Sequence, residues 1–382
     1  MASVERRETT RGVRYDVRYR EPGGRPRTKT FRRRGDADRF ARSVEVDKDR
    51  GLFTDPKRAR TPFGVVADQW LASDPGKRES SVARDEIIVR RYIRPACGGE
   101  PIAGPDTRDV QALVNEWAVD LAPSTVARQF SVLRAIYNYA VMNEMRPRNP
   151  CRGVKLPEVV PGIRRRVTSD DLARLSSELG GPGALGPTVY LGTVPAMRWG
   201  EVHALRVGHL DFERCGGWVD ETITRGHKGR TMVGEPKSRK GRRFLPFGET
   251  LMSVVLRHMA AKGLTVADVD ALLFTAPTGA MLRYNNWLRR SWYPACTVTG
   301  LGRMVTDPAT GKRRYEGLNF HDLRRNSGRG MVAAKVHPKT AQAIFGHADS
   351  RTTMDIYSEA ELEAMRAAVD ALAEQFMPDG AR

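Results

Sequence analysis

The segment 321–357 reads HDLRRNSGRGMVAAKVHPKTAQAIFGHADSRTTMDIY, and it decides how the rest of the chain is interpreted. It holds an imidazole and a guanidinium three residues apart, His321 and Arg324, then a second imidazole, His347, and a phenol, Tyr357, ten residues further on. Side chains at i and i+3 share one face of a helix, so a single phosphate can contact both members of the first pair. A phenol among fixed cations suits attack on a phosphodiester, because the cations offset the charge of the phosphorane transition state.

Two further cations lie upstream in the sequence. Arg198 belongs to the segment 191–205, LGTVPAMRWGEVHAL, in which the carboxylate of Glu201 follows three residues later, and Lys237 lies in the turn segment 236–238, PKS. Each of these residues has an ordinary structural explanation when it is taken alone. An HxxR pair is commonly structural, a tyrosine after a short helix commonly packs on a core, and an arginine beside a tryptophan commonly stacks on it. Their joint occurrence in this order carries the argument.

This order of motifs resembles that of the tyrosine recombinases of the phage integrase type, over residues 61–376. The catalytic residues that the resemblance implies are Arg198, Lys237, His321, Arg324, His347 and the nucleophile Tyr357, with Glu201 as a supporting acid. Two departures exist: Arg325-Asn326 follows the HxxR box where a His-Thr pair is frequent, and residues 195–197, PAM, replace the more usual TGL or SGM. Neither departure changes a position with a chemical role, so we expect an active protein.

The resemblance also implies how each group acts. The two arginines hold the non-bridging oxygens of the scissile phosphate in a forked geometry that lysine does not reproduce. Lys237 protonates the departing 5′ oxygen, and the PKS context favours it over its neighbours Arg239 and Lys240 in the same turn. His321 accepts or orients the proton of Tyr357, whose unperturbed pKa of about 10 requires a cationic setting. His347 donates a hydrogen bond to the phosphate. The product is a 3′-phosphotyrosine, so rejoining needs no ATP, no metal and no cofactor.

The charge of the chain points to a polyanionic partner. The formal net charge is +19 and the sequence pI is about 10.2, and the first 60 residues hold 19 Lys/Arg against 10 Asp/Glu. This basic region contains an alternating segment, 12–20, that predicts a strand, a second strand over 27–33 and a helix over 37–49. We expect a strand face of this module to lie against DNA. The candidate DNA-contacting residues are Arg14, Arg18, Arg20, Arg27, Lys29, Arg239 and Arg242.

Three domains are expected. Residues 1–57 form the small sheet with one helix and resemble an arm-type DNA-binding module, residues 61–157 form an all-α core-binding domain, and residues 165–382 form a mixed, mostly helical catalytic domain with a small antiparallel sheet. The fold class is therefore α+β, mainly α. Proline-rich segments near residues 56–62 and 147–161 mark the boundaries. The predicted elements of the last domain are strands over 218–223 and 243–246 and helices over 251–262, 284–296, 322–335, 339–345, 352–357 and 361–376. Three helix ends are also predicted: Asp106 caps a helix over 107–117, a helix starts at residues 169–172, and Gly346 caps the helix that ends at Phe345.

Several classes of protein are disfavoured by the composition. The four cysteines, Cys97, Cys151, Cys215 and Cys296, form no CxxC pair, which argues against a zinc ribbon or a disulfide scaffold. No metal site is expected. The N-terminus has no apolar signal segment and no window reaches bilayer-spanning length, so we expect a cytoplasmic, DNA-associated protein in a bacterial host, without a membrane partner.

Alternative functions remain open from the sequence alone. A type IB topoisomerase uses the same five-part site, a non-catalytic DNA-binding regulator explains the charge, and a metal-dependent nuclease is a third class. The resemblance implies double-stranded DNA with core and arm sites as the partner and a homotetramer on that DNA, with a host bending protein and a directionality factor as candidate further partners. The apolar stripe over 360–376 is either intramolecular core or a segment exchanged between protomers, and the resemblance favours exchange.

Overall fold

The structure, a computed structural model, places its secondary-structure elements in two units, residues 1–161 and 162–382. It describes residues 2–10, 12–20, 24–49, 54–55, 57–159, 166–226, 230–236, 241–308, 311, 313–347, 349–351, 353–354, 369 and 372. Helices dominate, with small antiparallel sheets, so the predicted fold class is confirmed. The three predicted domain boundaries stay a prediction.

The N-terminal part of the first unit is a three-stranded antiparallel sheet backed by one helix. The strands are β1 (Ser3–Thr9), β2 (Gly12–Arg20) and β3 (Pro26–Phe31), in the order β1-β2-β3, and the helix is α1 (Arg34–Asp49). Val17 and Tyr19 on β2 are buried against Ala41 and Val44 of α1. Because side chains alternate along a strand, the even-numbered residues of β2, among them the exposed Arg18 and Arg20, lie on the opposite, open face of the sheet.

The rest of the first unit is helical, as the sequence predicts. Its helices are α2 (Phe63–Ala72), α3 (Glu79–Ile88), α4 (Arg94–Cys97), α5 (Thr107–Asp120) and α6 (Pro123–Met142), and a π-helical turn, Val89–Ile93, joins α3 to α4. The predicted cap Asp106 is confirmed: its carboxylate accepts from the backbone nitrogens of Arg108 and Asp109, which offsets unpaired donors of the first turn. These helices enclose a core of their own around Phe63, Ile136 and Tyr137.

The second unit alternates helices with short sheets. Its elements are α7 (Ser169–Glu178), α8 (Pro187–Thr193), α9 (Trp199–Val202), β4 (Leu210–Asp211), β5 (Gly216–Val219), β6 (Thr222–Arg225), β7 (Thr231–Gly234), β8 (Arg243–Pro246), α10 (Gly248–Ala261), α11 (Tyr284–Trp287), α12 (Tyr293–Val298), β9 (Gly302–Thr306), β10 (Arg313–Gly317), α13 (Phe320–Ala333) and α14 (Pro338–Phe345). β4, β5 and β8 form one antiparallel sheet, while β6 with β7 and β9 with β10 form two hairpins.

One strand prediction is wrong, and two other strand features were not predicted. The single strand predicted over 218–223 is two strands in different sheets, because the chain leaves the β5 ladder after Val219 and pairs again from Thr222 with β7. The hairpin of β9 and β10 was not predicted, and neither was β1, whose sequence SVERRET lacks apolar alternation. All three depend on pairing with another strand rather than on a local pattern.

The packing of α8 against α13 brings the main sequence motifs together. A Cβ built on Gly192 of α8 would lie 2.7 Å from a ring carbon of Phe320 and 3.2 Å from a methyl carbon of Leu323. Only glycine therefore allows the two helices to approach this closely. Phe320 and Leu323 are buried in the same core as Leu191 and Met197. This contact sets Arg324, one residue beyond Leu323, beside the loop that leads into Arg198.

Candidate active site

Arg324 lies at the centre of the candidate site and is almost fully buried. The residue is 3% exposed, and its guanidinium donates to the carbonyl oxygens of Ala196 and Phe345 and lies 4.7 Å from the centroid of the Phe345 ring. It thereby connects the loop before α9 to the end of α14. Burial and the positive charge of the nearby Arg198 lower the pKa of Arg324 well below its ordinary value. An arginine buried among other cations raises the affinity of the site for an anion.

Arg198 precedes α9 and is held in place by the acid three residues later. Its backbone N–H donates to Glu201 Oε2 at 2.9 Å and its Nη1 donates to Glu201 Oε1 at 2.7 Å. The side chain remains 38% exposed, so the guanidinium retains donors that face solvent. Glu201 therefore fixes one edge of the Arg198 guanidinium, while the solvent-facing edge stays available to a ligand.

Glu201 also binds a second, buried arginine, which is not among the site residues predicted from the sequence. Arg243, the first residue of β8, donates from Nη2 to Glu201 Oε2 at 3.0 Å and from Nη1 to Glu201 Oε1 at 3.4 Å. Burial raises the pKa of Glu201, but the charges and hydrogen bonds of Arg243 and Arg198 outweigh it and lower this pKa to about 2. The carboxylate is thus ionised at neutral pH. The sequence did contain a signal for this residue: Arg243 lies two residues before the apolar Leu245, so both side chains lie on the same, buried face of the strand.

The imidazoles of His321 and His347 are both neutral at pH 7. Desolvation and the positive charge of Arg324 lower the pKa of His321 to about 4, although its side chain reaches solvent at the start of α13. Desolvation and the charges of Arg324 and Arg198 lower the pKa of His347 likewise to about 4. Neutral imidazoles each have one acceptor and one donor nitrogen. They can therefore accept a proton or donate a hydrogen bond, as the chemistry predicted for the two histidines requires.

The end of α14 orients His347. Gly346 adopts the left-handed conformation with φ 58° and ends the helix, which confirms the predicted cap. The imidazole then stacks on the Phe345 ring with 5.0 Å between centroids, and its Nδ1 lies 2.9 Å from the hydroxyl of Thr353. Thr353 belongs to a helical turn in which its N–H donates to the carbonyl of Ser350 at 2.9 Å. Tyr357, four residues later, lies outside the described residues.

The charges of the cluster do not cancel. Three guanidinium groups, of Arg198, Arg243 and Arg324, face one carboxylate, Glu201, so two positive charges remain while both imidazoles are neutral. A phosphodiester carries one negative charge, and the phosphorane formed during attack carries two. Fixed charges at a buried site act without the reorganisation that water requires. The cluster is thus matched in charge to the transition state of phosphodiester cleavage.

The other predicted site residues are distributed as follows. Lys237 and Arg239 lie outside the described residues. Arg242 is exposed and pairs with Glu235 at 2.8 Å. Within the residues described, no group of three or more His, Cys, Asp or Glu side chains could hold a metal ion. In the same residues no helix has the length and apolar character needed to cross a bilayer.

The candidate DNA-contacting residues of the N-terminal sheet fall on two faces. Arg14, Arg18 and Arg20 alternate along the open face of β2. Arg27 and Lys29 oppose Tyr19 and Val17 in the register of β2 and β3, and therefore lie on the face that α1 covers. Arg27 pairs with Asp55 at 3.5 Å, and Lys29 lies 4.2 Å from the centroid of the Phe40 ring. The structure thus separates these two residues from the three on β2.

Comparison with known proteins gives a consistent result over both units. The family model described as "Phage integrase family" matches residues 189–363, and the one described as "Phage integrase central domain" matches residues 63–156. The chain is 28% identical over 258 residues to the protein named as the phiRv2 prophage integrase of Mycobacterium tuberculosis. That alignment covers 64% of this chain and 66% of the relative, just under two thirds of its length. The tyrosine recombinase XerC of Yersinia pestis is 24% identical over 272 residues, which cover 70% of this chain and 78% of XerC.

Solved structures share the fold. The Tn1549 transposon integrase in complex with a circular intermediate DNA superposes with a TM-score of 0.66 at 17% identity, over 82% of this chain and 99% of that one. A lambda integrase dimer bound to a COC′ core site has a TM-score of 0.57 at 15% identity, over 92% of this chain and 94% of that one.

Proposed function

Because the chain belongs to the tyrosine recombinase family of site-specific recombinases, the phage integrase type, we propose that it cuts and rejoins double-stranded DNA through a covalent 3′-phosphotyrosine at Tyr357. The reaction serves integration and excision of phage or other mobile DNA. The observation that carries this proposal is the buried cluster of three arginines and one glutamate, with its two uncompensated positive charges beside two neutral imidazoles. A DNA-binding regulator without catalytic activity does not require such a cluster.

The proposed reaction assigns one role to each group. Tyr357 Oη attacks the scissile phosphorus while His321 accepts the phenolic proton. Arg198 and Arg324 hold the non-bridging oxygens, and His347 donates a hydrogen bond to one of them. The phosphorus–5′-oxygen bond breaks, Lys237 supplies a proton to the departing oxygen, and the strand ends as a free 5′ hydroxyl. Attack by another 5′ hydroxyl on the phosphotyrosine reverses these steps and joins a new pair of ends.

We also propose how the chain engages DNA. Residues 1–57 bind arm-type sites, residues 61–157 bind core sites and residues 165–382 carry the chemistry, in a homotetramer that exchanges the segment after residue 360. A host bending protein and a directionality factor assist, and the reaction takes place in the bacterial cytoplasm. In support, the lambda integrase has been solved both as a dimer on a core site and as a tetramer on a Holliday junction.

Covalent capture tests the catalytic proposal. A pool of duplexes with a randomised centre, nicked so that the 5′-hydroxyl fragment diffuses away after cleavage, is incubated with the protein in EDTA and then denatured in SDS. The wild type and a Tyr139→Phe control should give SDS-resistant adducts, and mass spectrometry should locate the DNA on Tyr357. Tyr357→Phe should give none. Adducts that persist in this variant, or cleavage that stops in EDTA, would contradict the proposal.

Sequencing the captured duplexes provides the substrate that distinguishes recombination from simple relaxation of supercoiled DNA. The captured sequences define a preferred site, and two copies of it on one plasmid should recombine. A type IB topoisomerase activity predicts relaxation of supercoiled plasmid without exchange between the two copies. We expect exchange.

The face of the N-terminal sheet that meets DNA is tested by salt dependence. On a 30-base-pair duplex of arbitrary sequence, replacing Arg14 or Arg20 by Gln should reduce the slope of log K against log salt by about one. Lys29→Gln should leave that slope unchanged, because Lys29 packs over Phe40 on the face that α1 covers. An equal reduction for Lys29→Gln would show that the open face is not the binding face.

A further inference from the structure

We propose that Arg243 is a positioning residue for strand cleavage: it sets Arg198 through Glu201 and sets the end of α14, which carries His347. This inference rests on the proposed function. Arg243 does not face the ligand, since its side chain is only 7% exposed and is bound to protein atoms. Whatever it contributes to the reaction is therefore transmitted through the residues that it holds.

The first connection runs to Arg198. Glu201 Oε2 accepts from Arg243 Nη2 at 3.0 Å and from the backbone N–H of Arg198 at 2.9 Å, while Glu201 Oε1 accepts from Arg198 Nη1 at 2.7 Å. A carboxylate that binds only one arginine can rotate about its side-chain torsions. With both oxygens engaged from two sides, its plane is fixed, and the orientation of the Arg198 guanidinium follows from it.

The second connection runs to α14. Arg243 Nε donates to the carbonyl of Ile344 at 2.8 Å, and Arg324 Nη2 donates to the next carbonyl, that of Phe345. Two arginines on separate elements thus bind consecutive carbonyls at the C-terminal end of one helix, where the helix dipole favours positive charge. Gly346 and His347 follow immediately. Loss of one arginine leaves the direction of the last turn, and hence of the imidazole, held by the other alone.

The third connection runs to the turn before β8. Arg243 Nη1 donates to the carbonyl of Gly241 at 2.9 Å. One side chain therefore connects Glu201, Gly241 and Ile344, which are far apart in the sequence.

Only a guanidinium can make these contacts together. Arginine has five N–H donors in a rigid fork, whereas the ammonium of lysine is a single point with three donors. Lysine at position 243 keeps the positive charge but cannot reach Glu201, Ile344 and Gly241 at once. Arg243→Lys therefore separates the geometric role of the side chain from its charge.

The test measures binding and chemistry separately on a captured duplex. We compare Arg243→Lys, Arg243→Gln and Glu201→Gln with the wild type, recording the Kd for DNA and the single-turnover rate of adduct formation at saturating protein. Both Arg243 variants should lose on the order of 100-fold in rate, as expected for a displacement of about 1 Å, with an unchanged Kd. Arg206→Gln is the matched control, since Arg206 pairs with Glu221 at 2.9 Å in the same unit. Its rate should equal that of the wild type.

A double variant tests the route of transmission. If Arg243 acts through Glu201, Arg243→Gln combined with Glu201→Gln should be little slower than the slower single variant. Wild-type rates in Arg243→Lys, losses that multiply in the double variant, or an equal loss in Arg206→Gln would each overturn the inference. Should Arg243→Gln not fold, Arg243→Lys, which keeps the buried charge pair, decides. A wild type that forms no adduct overturns the proposed function itself, and the inference with it.

Discussion

Replacing Glu201 by Gln should destabilise the folded protein by roughly 3 kcal/mol at pH 7. The carboxylate is 3% exposed and accepts hydrogen bonds from Arg198 and Arg243 at 2.7 to 3.4 Å. Its pKa falls from 4.5 to about 2 on folding, and a difference of about 2.5 corresponds to roughly 3 kcal/mol. Removing one partner of a buried ion pair costs about 3–5 kcal/mol in other proteins, so the two routes agree.

The pH dependence of this loss follows from the sign of the pKa change. Because the folded state lowers the pKa of Glu201, the contribution is fully present above pH 4.5 and is lost as the pH falls through about 2. The difference in unfolding free energy between the wild type and Glu201→Gln should therefore be constant from pH 5 to 8. Near pH 3 this difference should shrink to roughly half, since the Glu201 carboxyl is then protonated in the unfolded state and still mostly ionised in the folded state.

Urea unfolding at several pH values measures both quantities. Glu221→Gln is the control, because Glu221 is 33% exposed and binds one arginine, so its replacement should cost at most about 1 kcal/mol. A loss below about 1 kcal/mol for Glu201→Gln, or a difference that does not change with acid, would refute the assignment of Glu201 as a buried, doubly paired carboxylate.

Three further outcomes are expected. Lys335→Gly should stabilise the protein by about 1 kcal/mol in urea unfolding, because the exposed Lys335, two residues after the end of α13, has φ 54°. Lys335→Ala should bring no gain, and an unchanged midpoint in the glycine variant would argue against strain at this position. Burial lowers the pKa of His203 to about 4, so the free energy of unfolding should fall by roughly 3 kcal/mol between pH 6.5 and 4. His203→Gln should lose this part of the acid dependence, and an identical pH profile in both proteins would contradict the lowered pKa of His203. The second-order rate of adduct formation should fall as the pH drops through about 4, where His321 becomes protonated and can no longer accept a proton; a fall centred near 6.5 would mean that this histidine is not the acceptor.

Local features of the fold could be predicted from the sequence. The cap at Asp106, the start of α7 after Thr168 and the left-handed turn at Gly346 each depend on hydrogen bonds within one or two turns of a helix, and the structure contains all three. β1 and the hairpin of β9 and β10 could not be predicted in this way. Their strands are polar and exposed, and only pairing with a neighbouring strand stabilises them.

The candidate site likewise contains residues that the sequence indicates and one residue, Arg243, whose role only the folded structure reveals. The identities of Arg198, Glu201, His321, Arg324 and His347 came from their order in the sequence, and the structure brings these five residues together. For Arg243 the sequence pattern indicates only a position in a strand, because its partners Glu201 and Ile344 lie 42 and 101 residues away. The division of the N-terminal arginines and Lys29 between two faces likewise became evident only from the register of β2 and β3.

The amino-acid sequence alone specifies which chemical groups this protein has, a phenol, imidazoles, a lysine and arginines in one order, and it also marks the ends of several helices. The folded chain adds that one carboxylate binds two guanidinium groups, that both imidazoles are neutral at pH 7, and that two positive charges are left for a phosphate. The reason is physical. Group identity and helix caps depend on neighbouring residues, whereas pKa values and ion pairing depend on burial and on atoms that folding brings together from distant parts of the chain.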